Sequence, residues 1–261
     1  MRKRPALSLA AALVLLTLAL PARAGTGSSP GDLAITLAPY AWLTGLSGTI
    51  GVRGVQANVD SSFLNLSKYL NIAGMIHTDI LYRDTFGILG EVNYAQLGDQ
   101  TSGKRVSLDG QMGLFLSDVA AYYRLCLGAL GKEGTPPSSL DLLAGIRIWS
   151  LSMRLKSATA LNNRSVFKQT AWVDPVVGLR AKLRLTDTWG FELRGGVGGF
   201  GLSSAITWDA MALLAYTFWD HGTAFVGYRA VGVNHDQGGG RNYFKFDAVL
   251  SGPVLGAAFT F

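Results

Sequence analysis

Residues Lys168 to Leu183 read KQTAWVDPVVGLRAKL, and all charged residues of this stretch lie at even-numbered positions. The even positions include Asp174, Arg180 and Lys182, whereas the odd positions from 171 onward carry no charge. Successive side chains of a strand point to opposite faces, so this period of two predicts a β-strand with one polar and one apolar face. The segment also exceeds the usual soluble strand of about five or six residues.

The same alternation recurs along most of the chain. It predicts ten strands, at about 33–45, 70–83, 85–97, 107–125, 139–154, 168–184, 188–201, 204–218, 222–234 and 242–261. Eight or twelve strands are alternatives. Residues 49–59 (TIGVRGVQANV) could form a hairpin that turns at Arg53-Gly54 and adds two strands. Asp60 could then cap a short helix through Leu70, and residues 46–69 would plug or cover the barrel, or pack as an ordinary loop.

Three features favour a transmembrane barrel over a soluble sandwich. The strands are long enough to cross a bilayer when tilted, and their polar face is rich in glycine, which suits a crowded barrel interior. Aromatic residues cluster at strand ends, as in the girdles of membrane barrels, and a closed barrel leaves no unpaired edge in lipid. The predicted fold is therefore an all-β, antiparallel, up-and-down transmembrane barrel of about ten strands, formed as one domain by residues 33–261.

The N-terminal segment predicts export. Residues 1–24 combine a basic start, an apolar stretch shorter than a membrane-spanning helix, and small residues at the cleavage positions Ala22 and Ala24. Residues 25–32 are predicted to be a flexible lead. Removal of residues 1–24 would leave 19 basic and 17 acidic residues, a net charge of +2 in place of +6.

Composition narrows the function classes. A single cysteine, Cys126, excludes an internal disulfide framework and a zinc site built from cysteines. The small net charge of the mature chain offers no case for nucleic-acid binding. No phosphate-binding loop is present either, because the glycine-rich GGVGGFG at 195–201 alternates like a strand and precedes no predicted helix. We therefore expect no cofactor and no metal.

The last strand ends in Val254-Leu255-Gly256-Ala257-Ala258-Phe259-Thr260-Phe261. The positions Gly256, Phe259 and Phe261 resemble the C-terminal assembly signal of bacterial outer-membrane barrels. The resemblance implies that the barrel-assembly machinery is a partner. Pro253 lies within this strand, and we predict a bulge near Gly252-Pro253 that would let Lys245, Asp247 and Ser251 point inward.

Further stretches carry a resemblance to a family. They are APYAWLTGLSGTIGV (38–52), DLLAGIRIW (141–149), WVDPVVGLRAKL (172–183), LRGGVGGFG (193–201), FVGYRAV (225–231) and SGPVLGAAFTF (251–261). The chain resembles a proteobacterial family of small outer-membrane β-barrel proteins, similar to the opacity-type group. The resemblance covers nearly all of the mature chain and implies an outer-membrane barrel but no established reaction.

Charged residues on the polar face predict an ionic network in the lumen. Its acids would be Asp79, Glu91, Asp118, Asp141, Asp174, Glu192, Asp209 and Asp247. Its bases would be Arg83, Arg124, Arg147, Lys168, Arg180, Lys182, Arg194, Arg229 and Lys245. Buried charges are tolerated when they are paired, so eight acids facing nine bases favour interlocking salt bridges over an open channel of one sign.

A catalytic set has weak support. His77 and Asp79 lie on the same inward face and are the candidate acid–base pair. The strand pattern of outer-membrane lipid A deacylases is absent, because His77 is followed by Thr78-Asp79-Ile80. His235 lies in a glycine-rich stretch that predicts an outer turn.

Three functions follow from these patterns. The first is a monomeric outer-membrane barrel with a filled lumen and a structural or surface-interaction role, in contact with outer-membrane lipid and lipopolysaccharide. The second is a narrow porin for small polar solutes. The third is a lipid-modifying or proteolytic barrel enzyme.

The barrel predicts heat-dependent migration in gels. An unboiled sample should run differently from a boiled one, because a closed barrel resists detergent until it is heated. Comparing the two samples from isolated outer membranes measures this. Identical migration, with the protein in the soluble periplasmic fraction, would contradict the barrel.

Overall fold

A computed structural model describes residues 33–52, 55–102, 106–128, 137–159, 162–240 and 243–261. The predicted signal peptide (1–24) and lead (25–32) lie outside the described residues. The strands are β1 (Leu33–Trp42), β2 (Gly45–Val52), β3 (Val55–Ser61), β4 (Leu70–Tyr82), β5 (Phe86–Ser102), β6 (Val106–Gly128), β7 (Ser138–Thr159), β8 (Asn162–Arg184), β9 (Trp189–Gly198), β10 (Ile206–Trp219), β11 (Gly222–Gln237) and β12 (Phe244–Thr260). A helical turn, α1 (Phe63–Leu66), is extended by a 3-10 turn at Ser67–Tyr69.

Ten of these strands close into an antiparallel barrel. Each pairs with the next in the order β1-β4-β5-β6-β7-β8-β9-β10-β11-β12, and β12 pairs back onto β1. Closure is completed where Phe261 and Ile35 exchange backbone hydrogen bonds of 2.8 and 3.0 Å. The predicted ten-stranded, up-and-down barrel is confirmed. Short turns at 83–85, 185–188 and 220–221 lie at the same end of the barrel as Leu33 and Phe261, which we call the terminal end.

The alternation sorts side chains between lipid and lumen. Large apolar residues are exposed around the outside, among them Ile76, Ile80, Ile88, Val119, Leu142, Ile146, Val177, Leu193, Leu214, Val226 and Leu255. An aromatic girdle surrounds the terminal end, formed by Tyr82, Phe86, Tyr123, Trp189, Tyr216, Phe218, Trp219 and Phe261. An apolar belt bordered by aromatics is the exterior of a barrel that crosses a bilayer. The alternation also predicts Trp42, at the end of β1, as a girdle residue, and this is wrong because Trp42 is buried in the interior.

Residues 45–61 form the predicted additional hairpin, but it does not enlarge the ring. β2 continues β1 along β12, in the register Trp42↔Val254 followed by Gly45↔Ser251, and β3 pairs only with β2. The count therefore stays at ten. The predicted turn at Arg53-Gly54 lies outside the described residues. The short helix begins after Ser62 rather than being capped by Asp60, which still belongs to β3.

The bulge predicted in β12 was wrong. β12 pairs with β11 without a register shift, through Tyr228↔Pro253, and its even positions point inward throughout. The irregularity lies in the neighbouring strand at 43–44, where Leu43 donates its N–H to the carbonyl of Pro253. In an antiparallel strand the N–H and C=O of one residue point the same way, so Pro253 lacks the donor that would face Leu43. The break in the neighbour therefore accommodates the proline.

Four consecutive strands rise far beyond the membrane-spanning part. β6, β7 and β8 contain 23, 22 and 23 residues and β5 contains 17, whereas about 9–11 residues cross a bilayer. β9 has only 10 residues and leaves the upper half of β8 unpaired on that side. The barrel thus carries a four-stranded extension at the end opposite the termini. Within the described residues, no helix has the length and apolar character to cross a bilayer.

The turn between β4 and β5 is strained and offers a test of stability. Arg83 and Asp84 both adopt left-handed backbone, with φ of 48° and 52°, the pattern of a type I′ turn. Arg83→Asn with Asp84→Gly should raise the free energy of unfolding by about 1 kcal/mol, because these residues accept positive φ more readily. The ion pair lost from Asp84 is 3.8 Å long and strongly exposed, so its loss costs little.

Asp187→Gly is the matched control, since Asp187 lies in another terminal-end turn without left-handed backbone. Urea unfolding in detergent measures both variants. Equal stabilisation by the two would contradict the strain at 83–84.

Candidate functional site

The lumen contains a closed ring of alternating charges. Three carboxylates and three guanidinium groups follow one another across the interior, in the order Glu91, Arg229, Asp118, Arg147, Asp209 and Arg194. They come from six strands, β5, β11, β6, β7, β10 and β9. Inward positions at the same height place these side chains together, and we call this set the charge ring.

Arg147 makes the best geometry in the charge ring. Its Nε and Nη2 donate to the two oxygens of Asp118 at 2.7 and 3.0 Å, and Nη2 also lies 2.6 Å from Asp209. Its Nη1 donates to the hydroxyl of Thr207 at 3.2 Å. Two-pronged arginine–carboxylate pairs are the strong form of the salt bridge. Arg147 therefore ties three strands together inside the barrel.

Glu91 is the other anchor of the charge ring. It contacts Arg229 through one oxygen and lies 2.9 Å from Arg194 through the other. The Tyr40 hydroxyl lies 2.5 Å from Glu91 and 2.6 Å from the side-chain oxygen of Asn93. Charge and hydrogen bonds together compensate the burial of this carboxylate.

A second group of charges lies on the β4 and β6–β8 side of the lumen. Arg180 bridges Asp79 at 2.6 Å and Asp141 at 2.7 Å, and Asp141 also accepts from Arg124 Nε at 2.8 Å. Tyr122 donates its hydroxyl to Asp79 at 2.5 Å, while its ring lies 4.6 Å beneath the guanidinium of Arg180. We call this set the Arg180 group. It contains two acids and two arginines, so it too is close to neutral.

The remaining predicted network residues lie elsewhere. Arg83 occupies the exposed turn at the terminal end, so its inward placement was wrong: the strand ends before it. Asp247 lies on the outward face of β12, 3.6 Å from Lys245, because the predicted bulge does not occur. Glu192 lines a cavity at the terminal end. Asp174 is fully buried above the charge ring.

Asp174 is held by hydrogen bonds from neutral groups. The backbone N–H and hydroxyl of Ser204 donate to it at 2.8 and 2.7 Å. The indole N–H of Trp172 lies 3.2 Å from Asp174 and 3.0 Å from the Ser204 hydroxyl. Asp174 thereby fastens the 199–205 connection to β8 over the barrel interior.

An aromatic plug fills the lumen beyond the charge ring. It consists of Trp149, Trp172, His235, Phe244 and Phe246. The ring of Trp172 is stacked on His235 at 4.0 Å and on Trp149 at 5.8 Å, and both Trp149 and Phe246 are 0% exposed. His235 belongs to β11, and its Nδ1–H donates to the Ser203 carbonyl at 2.8 Å, so its predicted position in an outer turn was wrong.

A cavity opens at the terminal end, below the charges. It holds about 1080 Å³ including its open mouth, and is lined by His77, Asp79, Glu91, Lys182 and Glu192 among others. The candidate pair is not joined in it: Asp79 is engaged by Tyr122 and Arg180, while His77 lies 3.9 Å from Glu91. Within the described residues no three His, Cys, Asp or Glu side chains are grouped as a metal site requires.

Sequence reasoning missed the groups that complete the lumen. Tyr40, Tyr122 and Asn93 bind the carboxylates, and Trp42 packs 4.7 Å from the guanidinium of Arg229. Their positions in the alternating pattern could have revealed them. Tyr122 lies on the face of its strand opposite to the exposed Val119, and Trp149 lies two residues after Arg147 and therefore on the same inward face. The network prediction used the alternation only for charged residues.

Comparison with known proteins gives a fold and no family. No family model matches the chain, and no curated protein matches it. Solved structures that resemble it include the translocator domain of the autotransporter NalP from Neisseria meningitidis (12% identity, 97% of this chain and 98% of that one, TM-score 0.47). Another is the outer-membrane protease OmpT from Escherichia coli (10% identity, 91% of this chain and 99% of that one, TM-score 0.49). A third is the attachment invasion locus protein Ail of Yersinia pestis (10% identity, 88% of this chain and 99% of that one, TM-score 0.38).

The barrel assignment for this chain rests on its own strand pairing, because these likenesses are at 12% identity or less. The roles of the three proteins differ among protease, attachment protein and translocator. Function is therefore inferred below from the side chains of this chain.

The Arg180 group offers a matched test of buried pairing. Arg180 and Lys182 lie on one strand and both contact Asp79, but Arg180 is 1% exposed and Lys182 is 36% exposed. Arg180→Met should lower the free energy of unfolding by about 3 kcal/mol, since it leaves Asp79 and Asp141 less compensated. Lys182→Met should lower it by less than about 1 kcal/mol, because that pair is solvated.

Urea unfolding of the two variants in the same detergent measures the difference. A loss for Lys182→Met as large as that for Arg180→Met would contradict the assignment of stability to burial.

Proposed function

We propose that this protein is a closed outer-membrane barrel that conducts no solutes, serving as a rigid support for its extension beyond the membrane. The observation that carries the proposal is the obstructed lumen. The charge ring spans the interior, the Arg180 group occupies one side, and the aromatic plug lies beyond them.

Electrostatics supports closure over conduction. A conducting pore requires a water-filled path, and selective pores carry rings of one sign. Here carboxylates and arginines alternate and bind one another at 2.6 to 3.7 Å, and Arg147, Arg180 and Arg229 are buried. Barrels of this size are commonly filled by their own side chains. The cavity at the terminal end therefore forms a blind pocket beneath the charges.

The extension supports a role at the cell surface. β5 to β8 continue well past the length needed to span the bilayer, and they do so at the end opposite the termini. An even number of barrel strands brings Leu33 and Phe261 to one side of the membrane, and the short turns on that side are typical of the periplasmic side, so the extension would face the exterior. Further parts of the proposal are an opacity-type relationship, a monomeric state, a cleaved signal peptide, lipopolysaccharide as the surrounding lipid, and assembly through Gly256, Phe259 and Phe261.

The engagement of Asp79 argues against the enzyme alternative. Its oxygens are hydrogen-bonded to Tyr122 and Arg180, while His77 lies nearest to Glu91 at 3.9 Å, so the predicted His77–Asp79 pair is not formed. A change in lipid A mass that depends on the protein and is abolished by His77→Ala would overturn this part of the proposal.

Conductance tests closure directly. The purified protein in planar bilayers should show no stable current steps, because the charge ring and the aromatic plug leave no continuous water path. A porin of sixteen strands in the same bilayers is the positive control. Reproducible steps from the wild-type protein, in preparations shown to be folded by the heat-dependent gel shift, would favour the narrow porin.

A further inference from the structure

The barrel wall opens between β1 and β4, which are neighbours in the ring. β1 pairs with β4 from Leu33↔Tyr82 to Pro39↔Ile76, and the ladder stops there. Beyond that point the first strand continues along β12 as β2, whose other edge is taken by β3. The upper residues of β4, from 70 to 75, pair only with β5. We call the resulting gap between β3 and upper β4 the seam.

Two irregularities coincide with the end of this ladder. β4 carries a register shift against β5 between Leu70 and Ile72, and a backbone N–H on the β4 side of β1 is diverted to a side chain. Trp42, three residues past Pro39, donates its backbone N–H to the sulfur of Met75 at 3.0 Å instead of to a carbonyl. Sulfur is a weak acceptor, so this contact holds the two strands together less firmly than a ladder would.

A cavity of apolar character lies behind the seam. Thr44 and Ser67 are its polar lining residues; the rest are glycine or apolar, with Phe63 and Leu66 of α1 on one side. Other walls are formed by Met75, Met112, Leu114 and Phe246. Leu66 and Met75 also pack against the buried core of the barrel. The cavity thus reaches from the wall toward the aromatic plug.

The mouth of this cavity lies at the outer membrane interface. Ile72 is ten residues above Tyr82 of the aromatic girdle, which is about the span of a tilted membrane strand. Residues 70 to 74 are exposed on both faces of β4, as expected for a free edge. Leu70 lines the cavity and is 39% exposed, and Leu64 and Ile72 in the adjoining segments are 73% and 55% exposed, so this part of the surface is apolar. Lys68, also exposed, belongs to the same short segment.

We infer that the seam admits one acyl chain of an outer-leaflet lipid into this cavity. The lining is apolar and offers no cationic side chain for a carboxylate, so a hydrocarbon chain would enter while its headgroup stays outside. The mouth is continuous with the lipid-facing surface, and Lys68 is available there for a lipid phosphate. This site lies outside the charge ring and does not depend on whether the lumen conducts, although it requires the barrel to reside in a membrane.

Quenching of Trp42 by brominated lipid tests the site. Trp42 lines the cavity and is 4% exposed. The test protein carries Trp189→Phe, Trp208→Phe and Trp219→Phe, which leaves the interior tryptophans. In nanodiscs of phosphatidylcholine with dibromostearoyl chains, most of the Trp42 emission should be lost relative to unbrominated discs. Trp42→Phe in the same background defines the Trp42 contribution.

Filling the cavity supplies the matched comparison. Ala95→Phe places a ring in the cavity and should restore the Trp42 emission, whereas Ala144→Phe, on the outward face of β7, should leave the quenching unchanged. The heat-dependent gel shift verifies folding of each variant. Equal Trp42 emission in brominated and unbrominated discs, or undiminished quenching in folded Ala95→Phe, would overturn the site.

A second experiment distinguishes the acyl chain of a membrane phospholipid from a free fatty acid. Dibromostearic acid is added to the protein in unbrominated discs. Quenching by the free acid but not by the brominated phospholipid would overturn the assignment to a membrane lipid. Conductance is measured independently, so current steps together with lipid quenching would reject the closed lumen and retain the seam site.

Discussion

Pairing of charge across the lumen is the constraint on which this structure depends. Acids and arginines on the inward face lie inside a wall whose outer face is apolar, so an unpaired charge there would be costly. The charge ring resolves the problem by letting each carboxylate contact two arginines and each arginine two carboxylates. Because its six members come from six strands, the ring also ties strands together that share no backbone ladder.

The charge ring meets the buried apolar core, which contains Trp42 and most of the aromatic plug, at Arg229. Its guanidinium contacts Glu91 on one side and lies 4.7 Å over the ring of Trp42. A guanidinium suits both partners, because it is planar, permanently charged and able to stack on an aromatic face. The polar and apolar halves of the lumen are therefore joined by one side chain, and the interior is continuous from the terminal cavity to Phe246.

Two prolines coincide with breaks in the wall. Pro175 lies where β9 stops pairing with β8, and Pro253 faces the break at 43–44. Proline cannot donate to a ladder, so each of these breaks coincides with a donor that is missing from the chain. The seam between β1 and β4 differs from them because an apolar cavity lies behind it.

The period-two pattern was sufficient to predict the barrel, the number of strands and the inward face of most charged residues. That success has a simple cause: lipid on one side and a crowded lumen on the other demand opposite side chains at successive positions. Asp79, Glu91 and Arg147 could be placed in the lumen from parity alone. Asp247 could not, because its predicted orientation required a bulge, and which of two paired strands absorbs an irregularity depends on both.

The sequence by itself determined that this chain forms a closed barrel with charges inside and apolar residues outside. Only the tertiary structure decided which acid meets which arginine, that Trp149 and Trp172 close the lumen above them, and that the wall opens at Pro39. Those outcomes depend on the register and curvature of strands far apart in the chain. Periodicity along one strand reports which face a residue occupies, whereas its partners are set by how ten strands are staggered around the ring.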